Sequence, residues 1–364
     1  MSVLHIIPTY TTGGLGAVCL SMIRAWPEKA QHVAIAPRWH SYPNKYELLS
    51  AFAQTIGGLA QELDRNFGMT PPAWGQVLGT HLKKLWRGQH PTHVIQYNVL
   101  DIIPTLYALQ FAQYKGRVLA HVGTILPDAK TTRGIFTSPM IKNVKFIPVH
   151  EAVGTGLIEL GTPPDQVTHA VWNGGNLDRF DAPFRQQALV FGFAARMSVP
   201  TQKNWPLLIE AFAQAAIPGS KLRLAGDGAD EKNLRKKVAE CGVIDSVEFC
   251  GNVSPQKMPE FMQSLDVFVM SSLPIEGFAN VISEAAGARC MMLGTDVPGV
   301  RLPFGRAGGA SFLAVDAGKM AHEMRELHSS ALTRLANQEF VERLRPMLDA
   351  KTMAQEYFNI GVAP

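Results

Sequence analysis

Along the chain, short continuous apolar runs alternate with stretches in which apolar residues recur at helical spacing. In the first half the runs Val3–Pro8, His32–Ala36, His93–Tyr97, Arg117–His121 and Lys145–Val149 predict strands. Between them, Leu15–Ala25, Lys45–Gln54, Trp74–Arg87, Ile103–Tyr114 and Glu151–Leu160 predict helices. Runs without polar alternation suit strands covered on both faces, and strand–helix alternation is the pattern of parallel sheets.

The pattern stops at Trp172–Arg185, WNGGNLDRFDAPFR, where turn formers and polar residues cluster, so a domain boundary is expected there. A second series follows. Its predicted strands are Leu189–Ala195, Lys221–Ala225, Ser246–Cys250, Asp266–Met270 and Cys290–Gly294. Its predicted helices are Pro206–Ala215, Asp230–Cys241, Pro255–Ser264 and Ala279–Ala288. The apolar spacing of Met353, Tyr357 and Phe358 predicts a last helix over Ala350–Asn359. The expected division is therefore an amino-terminal domain at 1–172, a second domain at 173–348, and a carboxyl-terminal helix in 349–364 that packs back on the first. No repeat is visible.

The 364 residues are 46% hydrophobic and 18% charged, which supplies real cores and excludes global disorder. The net charge of +4 is concentrated in the first half, where residues 1–172 carry 14 Lys and Arg against 9 Asp and Glu. That excess is too mild for a nucleic-acid protein and suits an anionic ligand, an anionic membrane surface or plain solvation. The stretch His81–Arg87, HLKKLWR, is basic and apolar together. It is read either as a solvated helix with a core-facing Leu-Trp stripe or as a contact with anionic lipid. The four cysteines form no CxxC pair, so no zinc site is expected, and their scarcity fits a cytoplasmic location. Neither a membrane-spanning run nor a signal peptide is expected.

Several constellations could carry chemistry. Gly13-Gly14-Leu15-Gly16 follows the first strand and opens a helix, either as a tight turn alone or as a backbone cradle for an anion. Arg196 and Lys203 share one loop at the carboxyl edge of the second sheet, a fork and a point charge suited to a diphosphate. The segment Glu276-Gly277-Phe278-Ala279-Asn280 precedes a helix that carries Glu284 in its second turn. The two carboxylates there are separated by about 12 Å of helical rise at most. Unpaired amides of Phe278, Ala279 and Asn280 would meet hydroxyls or phosphate. His121 ends a strand, with Gly123 just after it. Asp227 and Asp230 read as a turn and a helix start rather than a metal site.

Taken in order, these pieces resemble the retaining glycosyltransferases of family 4. The matching segments are the glycine turn, AHVGT, NGGNLD, Arg196/Lys203, LRLAGDG, VEFCGNV and SSLPIEGFANVISEAAG, the last with the family's Glu-x7-Glu motif. The resemblance implies a GT-B fold, two Rossmann-like doubly wound α/β domains facing across a cleft. It also implies transfer of a sugar from a nucleotide-diphosphate donor to a glycan, lipid-linked or small-molecule acceptor, with an α-linkage and no metal or other cofactor. By the same resemblance Arg196 and Lys203 hold the diphosphate, Glu284 the ribose, and Glu276 the transferred sugar. Gly277, Phe278, Ala279 and Asn280 supply backbone donors. Gly14 and Gly16 approach the phosphate, His121 stands near the sugar, and Asn252 and Val253 lie beside the base. Ala279, Gln96-Tyr97 and Ala288–Met292 depart from the family's usual residues. A nucleotide-sugar epimerase or hydrolase, or a non-catalytic nucleotide-sugar binding protein, are the rival readings of the same architecture.

Overall fold

The computed structural model describes residues 2–7, 14–38, 60–64, 69–197, 203–274 and 277–362. The predicted helix Lys45–Gln54, Gly13 of the glycine turn and Glu276 lie outside the described residues. The chain divides into two compact units: residues 1–174 with 350–364, and residues 175–349.

The amino-terminal unit is built on a six-stranded, wholly parallel sheet. Its strands are β1 (Ser2–Ile6), β2 (Gln31–Arg38), β3 (Ala60–Asp64), β4 (His93–Gln96), β5 (Val118–Val122) and β6 (Val144–Pro148), in the order β3-β2-β1-β4-β5-β6. Strands β4 and β5 are buried at every position, which is why their sequences read as uninterrupted apolar runs. The described connecting helices are α1 (Gly14–Ala25), α2 (Pro71–Trp86), α3 (Ile102–Phe111), α4 (Lys130–Phe136) and α5 (Glu151–Glu159). Helix α2 opens where Thr70 Oγ1 accepts from Ala73 N at 3.4 Å, with Pro71 and Pro72 in the first turn. It ends at Arg87, whose left-handed backbone returns its N–H to Lys83 O. Leu82 and Trp86 face the core, and Lys83, Lys84 and Arg87 are exposed. The basic and apolar halves of His81–Arg87 thus lie on opposite faces of the helix.

The second unit repeats the plan with β7 (Val190–Ala194), β8 (Lys221–Ala225), β9 (Val247–Gly251), β10 (Val267–Met270), β11 (Met291–Thr295) and β12 (Leu313–Ala314). Their order is β12-β11-β10-β7-β8-β9, again all parallel. Its helices are α6 (Trp205–Ala215), α7 (Glu231–Glu240), α8 (Met258–Gln263), α9 (Val281–Gly287), α10 (Pro298–Arg306), α11 (Ala317–Ser329) and α12 (Ala331–Leu344). Strand β12 pairs only Leu313 and Ala314 with β11. The wholly buried Asn337 amide stands in for the missing ladder, accepting from Met292 N at 2.8 Å and donating to Met292 O at 2.9 Å. Helix α8 starts later than Pro255, because Lys257 and Met258 first turn back onto Ser254 O.

The last helix, α13 (Ala350–Val362), rejoins the amino-terminal unit. Met353, Ala354, Tyr357 and Ile360 lie on one face, spaced as a helical stripe, and join the core formed by Val18, Met22 and Ile23 of α1 with Ile95 and Leu119 of the sheet.

Candidate functional site

In an open parallel sheet, ligands bind past the carboxyl ends of the strands where the strand order reverses. In the second unit that reversal falls between β7 and β10. The loop after β7 carries Arg196, and the connection after β10 carries residues 271–280 and then α9.

Backbone bonds between neighbouring loops hold the Arg196 loop in place. Ala195 N donates to Ala225 O at 2.9 Å, Met197 N to Asp227 O at 2.8 Å, and Asp230 N to Met197 O at 3.1 Å. This stitching depends on the two glycines of AGDG. Gly226 and Gly228 sit at φ +140° and +152°, and a Cβ would stand 1.9 Å from Ala195 O and 2.0 Å from Met197 O. Gly226 N in turn donates to Gly251 O at 2.7 Å, drawing the end of β9, and Asn252 and Val253 with it, into the same edge. The buried indole of Trp205 donates to Arg196 O at 3.3 Å and ties together the ends of the loop that carries both cations. Arg196 is exposed and Lys203 half-buried. Asp230 Oδ1 accepts from Asn233 Nδ2 at 2.8 Å, so that carboxylate belongs to a turn.

Past β10, the connection differs from the sequence reading in two respects. Helix α9 begins at Val281 rather than Ala279, and Glu284 lies in its first turn, not its second. Ile282 and Ser283 spend their N–H groups on Ala279 O and Asn280 O, both at 3.0 Å. These bonds make a tight entry turn just before the helix. Phe278 and Ala279 are buried. The connection and the helix after it also carry enclosed polar side chains. Ser271 Oγ, Ser272 Oγ and Glu284 Oε2 are all sealed from solvent with no hydrogen-bond partner among the described residues. The Glu284 residue is partly exposed as a whole, but its carboxylate is enclosed, and burial pushes its pKa up to about 7, opposed only by the positive field of Arg179. Such groups destabilise a fold unless something else completes them.

The short helix is pinned from its far end. Arg345 donates to Ala286 O at 2.8 Å and Gly287 O at 2.7 Å, the terminal carbonyls of α9. Arg345 and Arg289 share Asp181, and Arg289 also pairs with Glu342 at 2.6 Å. The linker, α9 and α12 are joined through these four side chains.

The amino-terminal unit holds the remaining expected residues. Gly14 and Gly16 lie in the first turn of α1, the former exposed and the latter buried. His121 is the fourth residue of β5, with Val122 ending the strand. Its imidazole is 1% exposed, and burial pulls its pKa down to about 4, so it is neutral near pH 7. Nδ1 lies 2.8 Å from Tyr357 Oη, and Nε2 is sealed and unpartnered among the described residues. A second set, His5, His32 and Tyr97, runs beside it. His5 Nδ1 is 3.1 Å from Tyr97 Oη and its Nε2 is 2.9 Å from His32 Nδ1.

The sequence reading missed Ser271, Ser272, Arg179 and Tyr357. The serines could have been found, since two hydroxyls directly after the run VFVM mark a strand end. Tyr357 could not, because 236 residues separate it from His121.

The glycosyl transferases group 1 family matches residues 188–330, all of it within the second unit. A lipopolysaccharide core biosynthesis glycosyltransferase of Rhizobium meliloti is 40% identical over 84 residues, 23% of each chain. A GDP-mannose-dependent phosphatidylinositol monomannoside mannosyltransferase of Mycobacterium tuberculosis is 32% identical over 100 residues, 26% of this chain and 23% of its own. The chain thus aligns with about a quarter of the length of these curated relatives. Among solved structures, Anabaena HepE in complex with UDP-glucose superposes with a TM-score of 0.78 at 16% identity, covering 99% of both chains. That likeness shows the fold, two Rossmann-like parallel-sheet units of the kind found in GT-B glycosyltransferases.

Proposed function

We propose that the protein is a retaining glycosyltransferase of the family 4 type, which moves a sugar from a nucleotide-diphosphate sugar to an acceptor hydroxyl, forming an α-linkage without a metal. One observation carries this reading: Ser271 Oγ, Ser272 Oγ and Glu284 Oε2, enclosed and unpartnered among the described residues, follow β10 in the chain, at the reversal of strand order where the loop of Arg196 and Lys203 also starts. A polyhydroxylated anionic ligand would complete all of them. The family match over 188–330 and the names of the curated relatives support the same chemistry.

In this reading the donor's glycosyl–phosphate bond breaks as the acceptor oxygen bonds the anomeric carbon on the same face. The acceptor proton passes to the leaving phosphate oxygen. Negative charge grows on the diphosphate, and Arg196 and Lys203 stabilise it. Glu284 accepts from ribose hydroxyls, and Asn252 and Val253 flank the base. Glu276, with Gly277, Phe278, Ala279 and Asn280, positions the transferred sugar. His121, Gly14 and Gly16 serve the donor from the amino-terminal unit. Exposed Lys83, Lys84 and Arg87 on α2 would rest on an anionic bilayer that carries a lipid-linked acceptor. No described helix is long and apolar enough to cross a membrane.

The deciding experiment titrates uridine, guanosine and adenosine diphosphate sugars into the protein. It then follows product with and without acceptor, in the presence of a chelator. Binding of one donor class, acceptor-dependent product with an α anomeric linkage, and indifference to chelator are expected. Turnover without acceptor would mean a hydrolase or epimerase, and binding without turnover a non-catalytic protein. Failure to float with anionic vesicles removes the membrane contact.

A further inference from the structure

His121 and Tyr357 form an enclosed pair whose geometry leaves one question of proton placement, and the surroundings answer it. The pair joins β5 to the carboxyl-terminal helix through the 2.8 Å contact of Nδ1 with the tyrosine hydroxyl, at residues 1% and 0% exposed. Tyr97 stands beside the imidazole with ring centroids 6.0 Å apart, and its own hydroxyl is engaged by His5. A Cβ on residue 123 would stand 3.1 Å from Nε2, with Leu15 Cδ2 of α1 3.7 Å from that same Cβ. Glycine therefore adds no Cβ against Nε2, an atom that is enclosed yet unpartnered among the described residues.

A neutral imidazole carries one N–H, so the pair has two possible arrangements. In one, Nδ1–H donates to the phenol oxygen and the phenol proton must find another acceptor. In the other, the phenol donates to bare Nδ1, and the ring proton sits on Nε2. Burial pushes the Tyr357 pKa upward, so the phenol keeps its proton, and a buried O–H needs an acceptor. Among the described hydrogen bonds of this hydroxyl, Nδ1 is that acceptor.

We propose that Tyr357 is a positioning residue: its hydroxyl donates to His121 Nδ1 and so holds the imidazole as the Nε2–H tautomer, a neutral donor to an oxygen of the bound sugar. The nature of that oxygen rests on the function proposed above, whereas the tautomer does not depend on it.

The test uses the full chain with 15N-labelled histidine. Long-range proton–nitrogen correlation separates protonated from bare ring nitrogens, and His121→Gln assigns the signals. Wild-type protein is expected to show Nε2 protonated and Nδ1 bare. Tyr357→Phe is expected to give a mixture of tautomers with an intact circular dichroism spectrum. Its transfer turnover should fall about tenfold while the donor KM stays within about twofold, as loss of one hydrogen bond at the reacting end would do. A protonated Nδ1 in the wild type overturns the proposal, and so does a Tyr357→Phe tautomer signal identical to wild type. If Tyr357→Phe does not fold, the wild-type spectrum alone still decides. The expected tautomer with no transfer from any donor refutes the proposed function and leaves the positioning role standing; the reverse result refutes the positioning role alone.

Discussion

The two units share one sheet plan and bury titratable groups whose pKa values shift in opposite directions. In the amino-terminal unit, His5, His32 and Tyr97 bond to one another, as do His121 and Tyr357, and burial lowers the pKa of His5, His32, His93 and His121. In the second unit, Ser271 Oγ, Ser272 Oγ and Glu284 Oε2 have no hydrogen-bond partner among the described residues, and burial raises the pKa of Glu284 to about 7. Both units leave a polar atom unpartnered among the described residues near a strand end, His121 Nε2 in the first and Ser271 Oγ and Ser272 Oγ in the second. Units with the same topology thus differ in the charge that burial disfavours, an imidazolium in the first and a carboxylate in the second.

The largest expected effect tests the second unit's role directly. Lys203→Ala should lower transfer by roughly 10²–10³, the usual loss for one donor to developing negative charge, and leave the melting temperature near that of the wild type. A wild-type rate would remove Lys203 from the diphosphate site.

Glu284→Gln probes the enclosed carboxyl itself and should move stability and binding in opposite directions. Because the folded pKa lies above the ordinary value of 4.5, the protonated form is the stable one. Stability is full below pH 4.5 and is lost as pH rises through 7. The neutral amide should therefore stabilise ligand-free protein at pH 8 by as much as about 3 kcal/mol, change little at pH 4.5, and weaken donor binding roughly ten- to hundredfold. Calorimetric melting at the two pH values and donor titration check this, and equal melting shifts at both would show that the carboxylate is not buried.

Gly226→Ala should destabilise the second unit by about 1–3 kcal/mol through its φ of +140°, with the contact to Ala195 O added to that. Hydrogen exchange resolved by peptide should show loosening of the Arg196 loop, with the first unit's peptides unchanged. The smallest effect is on acidification. The lowered histidines contribute stability that is present above pH 6.5 and is lost as pH falls toward 4. Exchange protection should accordingly fade in the first unit before the second; the opposite order would break the comparison.

Much of this molecule is readable from its sequence. Strand runs such as VLAHV and VFVM are apolar because both faces of a parallel sheet are covered, so periodicity finds them. The pair Arg196 and Lys203 is legible because a loop at a strand's carboxyl end is short-range information. Strand β3, AQELD, escaped because its residues do not form an apolar run. Strand β12 escaped because two residues leave no period to detect. The start of α9 was misplaced by two residues because Ala279 and Asn280 form an entry turn whose bonds only the backbone reveals. The state of Glu284 was hidden for a different reason: exposure and solvation are properties of neighbours, and a glutamate in the first turn of a helix looks the same in sequence whether wet or dry.

The carboxyl-terminal helix has a consequence for the order of events at the ribosome. Tyr357 and Ile360 belong to the core of the amino-terminal unit, and the whole of residues 175–349 must be made before they exist. A nascent chain would therefore complete its second unit while the first still lacks a wall, with Val18, Met22 and Ile23 packed on the sheet but not yet covered by Met353, Tyr357 and Ile360.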